Sequence, residues 1–213
     1  MPKPPMDDVA MNQTWAHAAA RVLVRPLLGT WVRPNHLTIL RFVVGLCACA
    51  LLGVGSWTAY AWSGALWVVT CLLDRADGEL ARMGDLRSES GKLLDYYSDM
   101  ILDACWFLGA GIGLRHGWLG NAAVPLGMLV CGSMLLCSWS SEMFERASGP
   151  GVKVWSGVQR FHPDDALFLL APFTWAGVLA PILIASALCV PVIAVVITVR
   201  YVRLKGRLAT GLR

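Results

Sequence analysis

The chain has 213 residues, 56% of them hydrophobic and only 15% charged, with a formal net charge of +4. That balance excludes an ordinary soluble domain and describes one integral membrane domain. The small positive excess is what membrane topology produces, so it gives no ground for a nucleic-acid partner.

Residues 1–36 read as an N-terminal segment without the short apolar core of a signal peptide. Within it Trp15, Ala18, Ala19, Val22, Leu23, Leu27 and Leu28 recur at helical spacing beside Arg21 and Arg25. This pattern suits an amphipathic helix lying in the membrane interface; a disordered leader is the alternative. Residues 37–213 form the rest of a single domain, an all-α membrane bundle of six transmembrane helices. A helix needs about 20 apolar residues to cross the hydrocarbon core. Six such runs are marked at 37–56, 60–81, 92–115, 120–144, 164–181 and 182–203. Pro181 is expected at the last break, and Pro191 is expected to kink the final helix without ending it.

Lys and Arg collect on alternate loops: Arg21, Arg25 and Arg33 before the first span, Arg75, Arg82, Arg87 and Lys92 around the second loop, Arg146, Lys153 and Arg160 in the fourth, and Arg203, Lys205, Arg207 and Arg213 at the end. Cytoplasmic loops hold such an excess, so both termini and the second loop are expected to face the cytoplasm. The seven cysteines all fall within apolar runs without a CxxC pair and read as small hydrophobes. Gly109, Gly111 and Gly113 lack the strand context of a nucleotide loop and read as close helix packing.

One window breaks the apolar pattern. Residues 72–103 hold eight of the fourteen acidic residues. A carboxylate at the centre of a spanning helix costs about 2.5–3.5 kcal/mol, so such groups line a cavity or bind a partner. Asp74 and Asp77 share one helical face, and Asp95, Asp99 and Asp103 share a face of the next helix. Two carboxylate pairs on adjacent antiparallel helices converge on one point, where a divalent cation, or two, relieves their repulsion. All-oxygen ligation favours Mg²⁺ or Mn²⁺ over Zn²⁺, and such sites usually hold substrate phosphates as well. Gly78 leaves room for close approach of a ligand, Arg82 offers a fork for phosphate, and Gly91 lets helices pack closely.

Together the residues spell Asp74-x2-Asp77-Gly78-x2-Ala81-Arg82-x8-Gly91-x3-Asp95-x3-Asp99. This resembles the signature of the CDP-alcohol phosphotransferases, membrane enzymes that join a CDP-activated group to an alcohol, and every fixed position is matched. The resemblance implies that Asp74, Asp77, Asp95 and Asp99 ligate a metal pair gripping the donor's pyrophosphate, with Asp99 also the base for the acceptor hydroxyl. It also implies that Gly78, Ala81, Arg82 and Gly91 lie against the CDP moiety. The stretch "RPNHLTILR" at 33–41 resembles the P-N-x-L-T element of the family, which adds Asn35 and Thr38 to the nucleotide side. A homodimer is implied too. The small six-span form resembles the branch that uses CDP-diacylglycerol and a small polar acceptor: glycerol 3-phosphate, inositol, inositol phosphate or serine. "DGELAR", with Glu79, is similar to the inositol-phosphate type.

For the acceptor, Arg146, Lys153 and Arg160 are candidates to grip a phosphate, against the plainer reading of positive loop charges. His162, Asp164 and Asp165 read more simply as a helix start. An intramembrane Mg-dependent prenyltransferase and a transporter or proton relay with buried acids remain as alternatives. Neither requires Gly78, Ala81, Arg82 and Gly91 at this spacing.

Overall fold

A computed structural model describes residues 15–149, 152, 154 and 168–209, with side chains from 18 to 208. Every regular element in it is helical. In chain order these are α1 (Trp15–Val24), α2 (Pro34–Val54), α3 (Trp57–Met83), α4 (Glu89–Gly113), α5 (Ala123–Ser148), α6 (Leu170–Trp175) and α7 (Leu179–Ala209), with short 3-10 turns at Arg25–Leu27, Leu114–His116 and Gly120–Ala122.

Local chemistry sets the boundaries. Pro34 opens α2 at a position whose N–H has no intrahelical partner to lose, and the left-handed Gly55 (φ 80°) closes it. Ser56 and Ser88 cap α3 and α4, accepting from the backbone N–H of Ala59 and Gly91 at 3.2 and 3.1 Å. The first four expected spans thus correspond to α2 to α5.

The last two do not divide as expected. Residues 164–167 at the start of the fifth lie outside the described residues, and the rest holds the six-residue α6, a turn and the first residues of α7. The chain turns at Gly177 (φ 71°), and α7 begins before Pro181. Proline is tolerated in a first turn, whereas a left-handed glycine ends a helix, so Gly177 and not Pro181 is the breaker. Pro191 lies inside α7 without ending it, as expected.

Among the described residues three helical stretches, Pro34–Val54, Gly120–Ser148 and Leu179–Leu208, are long and apolar enough to cross a membrane. In α3 and α4 the acidic motif and the Trp, Tyr, Ser and Gly residues dilute that signal.

α2 is the shared neighbour at the centre. It packs along both α3 and α4, α4 packs on α5, α5 on α7, and α1 and α6 rest on α3. Between helices in lipid the hydrophobic drive is weak, so small residues and interhelical hydrogen bonds hold the bundle. The glycine run serves this purpose. A Cβ at Gly109 would meet the Cys49 carbonyl oxygen of α2 at 2.5 Å, and one at Gly111 would meet the Ala123 oxygen of α5 at 2.7 Å. Alternate glycines thus let α4 approach two neighbours. Hydroxyls stitch further pairs: Ser63 Oγ to the Ala48 carbonyl at 2.8 Å, Tyr96 to the Ser138 carbonyl at 3.0 Å, and Ser140 with Thr198 at 2.8 Å. All seven cysteines are free thiols.

The main core gathers Ala48, Leu52, Trp67, Leu102, Trp106 and Leu179, with the Trp67 and Trp106 rings 6.2 Å apart. A second cluster docks α1: Ala20 and Val24 are buried against Ala76 and Leu80 of α3. Val22 and Leu23 on the same helix are exposed. The face that meets protein is that of Ala20 and Val24.

Candidate active site

The acidic motif does not bring two adjacent helices together. α2 stands between α3 and α4, and Arg41 of α2 reaches into the group. Its guanidinium, 1% exposed, forms a close ion pair with Asp74 Oδ1 through Nη1. The same Nη1 lies 2.9 Å from Asp99 Oδ1, and Nη2 lies 3.1 Å from Asp95 Oδ1 and donates to the Asp95 carbonyl at 3.3 Å. Asp74 also accepts from Arg75 Nη1 at 2.6 Å. Three carboxylates from two helices are thus drawn onto one fork.

Sequence reasoning passed over Arg41. The signal was available, because an arginine inside an apolar span is itself a functional flag.

Asp74, Asp95 and Asp99 each offer an oxygen within 4.8 Å of the others. Asp95 Oδ1 is buried and is met by Arg41 as an ion pair without a well-formed hydrogen bond. The all-carboxylate donor set fits a hard divalent ion. Asp77 is placed differently. It is 5% exposed and its Oδ2 accepts from the Thr38 hydroxyl at 2.7 Å, so it faces the start of α2.

A cavity of about 140 Å³ opens beside the cluster, lined by Arg41, Thr70, Asp74, Arg75, Asp99 and Asp103 among others. Asp103, one turn beyond Asp99, therefore faces the same space. Asp95 and Asp99 keep 45% and 53% of their side chains exposed, so the cluster is reachable from outside.

The remaining motif residues surround this group. The atoms nearest to a Cβ at Gly78 would be those of the Arg82 guanidinium, from 3.5 Å, so Arg82 folds back over Gly78. Ala81 is half-buried beside it. A Cβ at Gly91 would meet Ser88 Oγ at 2.9 Å and Asn35 Oδ1 at 3.0 Å. The close packing expected of Gly91 is therefore with the start of α2. Arg146 pairs with Glu142 at 2.6 Å on the exposed face of α5. Lys153, Arg160, His162, Asp164 and Asp165 lie outside the described residues.

Residues 31–199 match the profile described as CDP-alcohol phosphatidyltransferase. The chain belongs to this family. Membership removes the prenyltransferase and transporter readings, and it makes the protein one of a family of phospholipid-type transferases that act on CDP-activated donors.

The match extends to individual relatives of the CDP-alcohol phosphatidyltransferases. A "Bifunctional IPC transferase and DIPP synthase" of Archaeoglobus fulgidus is 27% identical over 67% of this chain and 28% of its own. The protein of the same description in Aquifex aeolicus is 23% identical over 78% of this chain and 38% of its own. The chain thus spans about a third of the length of these curated relatives. The fold is shared with Mycobacterium tuberculosis phosphatidylinositol phosphate synthase. Its structure with CDP-DAG bound superposes at a TM-score of 0.64, with 18% identity over 89% of this chain and 92% of that one. A second structure of that enzyme, in complex with manganese and citrate, gives a TM-score of 0.63.

Proposed function

We propose that the protein transfers a phosphatidyl group from CDP-diacylglycerol to a small polar alcohol of the inositol phosphate, inositol or glycerol 3-phosphate type, releasing CMP. The observation that carries this reading is the convergence of Asp74, Asp95 and Asp99 beside a cavity on the family's motif helices. The mycobacterial structures, one with CDP-DAG bound and one in complex with manganese, support the donor and the metal.

In this mechanism the acceptor hydroxyl oxygen attacks the phosphorus bearing diacylglycerol. The new P–O bond forms as the P–O bond to CMP breaks, and the hydroxyl proton passes to Asp99. CMP takes the electron pair of the broken bond, so the step balances without a covalent enzyme intermediate. Asp74, Asp77, Asp95 and Asp99 would hold Mg²⁺ or Mn²⁺, two ions in this reading, which would supply positive charge to the attacking and leaving oxygens. Gly78, Ala81, Arg82, Gly91, Asn35 and Thr38 border the CDP moiety. Arg146, Lys153 and Arg160 meet the acceptor, with Arg146 exchanging Glu142 for its phosphate.

The same reading keeps residues 1–36 as an interfacial segment ahead of a six-helix membrane domain at 37–213. Exposed Val22 and Leu23 on α1 and exposed Ile39, Leu40 and Val43 on α2 support contact with lipid. Both termini and the active site then face the cytoplasm, and the protein works as a homodimer.

The test is CMP release by purified protein in detergent with Mg²⁺ and CDP-diacylglycerol, against glycerol 3-phosphate, inositol, inositol 1-phosphate and serine. Release that depends on one acceptor supports the proposal and names the substrate. No release with any of them, from protein that also fails to bind CDP, overturns it.

A further inference from the structure

Glu79 is unused by this mechanism, although it lies next to Gly78 in the motif. Only 2% of it is exposed, and a buried carboxylate is costly unless paired. Its Oε1 lies 3.0 Å from Arg82 Nη2 on the same helix and 3.7 Å from Arg21 Nε on α1. Arg21 is delivered by the apolar docking of α1, since Ala20 and Val24 on that helix are buried against Ala76 and Leu80, which flank Glu79 on α3. An arginine is a long side chain with several rotamers to lose on binding a ligand. Here Arg82 is turned back over Gly78, where a ligand can approach the backbone.

The geometry points to Glu79 as a positioning residue that, anchored to the N-terminal helix by Arg21, holds the Arg82 guanidinium over Gly78 in its pose for the donor's diphosphate. This rests on the reading of Arg82 as a CDP-binding residue. It gives the N-terminal helix a task in the site beyond contact with the membrane. A guanidinium already oriented loses less freedom when it binds phosphate, which raises affinity without a new contact to ligand.

The test uses the full chain in detergent, with CDP as probe in calorimetry at saturating Mg²⁺ and Mn²⁺ binding followed separately by electron paramagnetic resonance. Glu79→Gln is expected to weaken CDP about tenfold, the size of one charge-assisted hydrogen bond, while the Mn²⁺ Kd stays within about twofold. Arg21→Met is expected to weaken CDP about threefold on the same scale, and Arg21→Lys to recover part of that loss. On an Arg82→Ala background Glu79→Gln should change nothing further, because residues acting as one unit are non-additive. The proposal is overturned by unchanged CDP affinity in Glu79→Gln and Arg21→Met while Arg82→Ala weakens it, or by parallel loss of CDP and Mn²⁺ binding. Should Glu79→Gln fail to fold, Arg21→Met, which alters a partly exposed side chain, decides alone. Unchanged CDP affinity in Arg82→Ala would instead sink the donor-site reading, and this inference with it.

Discussion

Replacing Arg41 with methionine is the sharpest perturbation of this site. The side chain is 1% exposed and contacts Asp74, Asp95 and Asp99, whose side chains are 26%, 45% and 53% exposed. Removing one partner of a fully buried pair costs about 3–5 kcal/mol because a charge is stranded. Two of these carboxylates keep substantial contact with solvent and Arg75 still pairs with Asp74, so the expected loss is smaller, about 2–3 kcal/mol. Three like charges within 4.8 Å then lack their central counter-charge. A divalent ion held by the same oxygens should restore it. The ion stabilises wild type too, so the gap narrows only by the difference in affinity. Arg41 competes for these oxygens in wild type, and a hundredfold tighter Kd in the mutant contributes about 2.7 kcal/mol, enough to offset most of the loss. Unfolding in detergent, with EDTA and then with saturating Mn²⁺, measures both halves. Arg41→Met should be markedly less stable than wild type in EDTA and within about 1 kcal/mol of it in Mn²⁺, on the same reckoning. A loss below about 1 kcal/mol in EDTA would mean the guanidinium does not hold the cluster together. An equal loss in both conditions would mean the ion and Arg41 do not share these oxygens.

Asp99→Asn should fold with wild-type stability to within about 1 kcal/mol and lose at least about 10²–10⁴ in turnover, the range of a general base; near-normal CMP release would remove Asp99 from that role. Gly109→Val places a branched side chain against the Cys49 carbonyl and should cost about 3 kcal/mol or more, since backbone yields less readily than side chain; thermal unfolding in detergent reads it. Thr38→Val removes the hydrogen bond to buried Asp77 and should cost about 1–3 kcal/mol, while Thr38→Ser should keep most of it. Ser140→Ala, which unties α5 from α7, should cost only about 0.6 kcal/mol, because alternative partners exist in the membrane-embedded unfolded state.

The helices were legible because apolar runs between capping serines, glycines and prolines are strong local signals, and α2 to α5 fall where those runs lie. Spacing also made the carboxylate cluster legible, since Asp74, Asp95 and Asp99 do gather. What spacing could not supply was the helix between them. Periodicity fixes which residues share a face, but not which third element that face meets. Asp74 and Asp77 illustrate the limit: three residues apart, they point about 60° from one another around a helix of 3.6 residues per turn. That is enough for one to face the cavity while the other faces Thr38.

The position of α2 also changes the meaning of the P-N-x-L-T stretch. Asn35, Thr38 and Arg41 recur every third residue, and the structure sends the first against Gly91 of α4, the second to Asp77 of α3, and the third to carboxylates on both. One polar edge on an otherwise apolar helix thus sets the register of both motif helices. Such polar groups are costly to carry in lipid, so each needs a partner, and Thr38 finds Asp77 while Arg41 finds Asp74, Asp95 and Asp99. The carboxylates can therefore converge without direct packing of α3 on α4, which leaves between those helices the cavity a lipid-linked diphosphate would need.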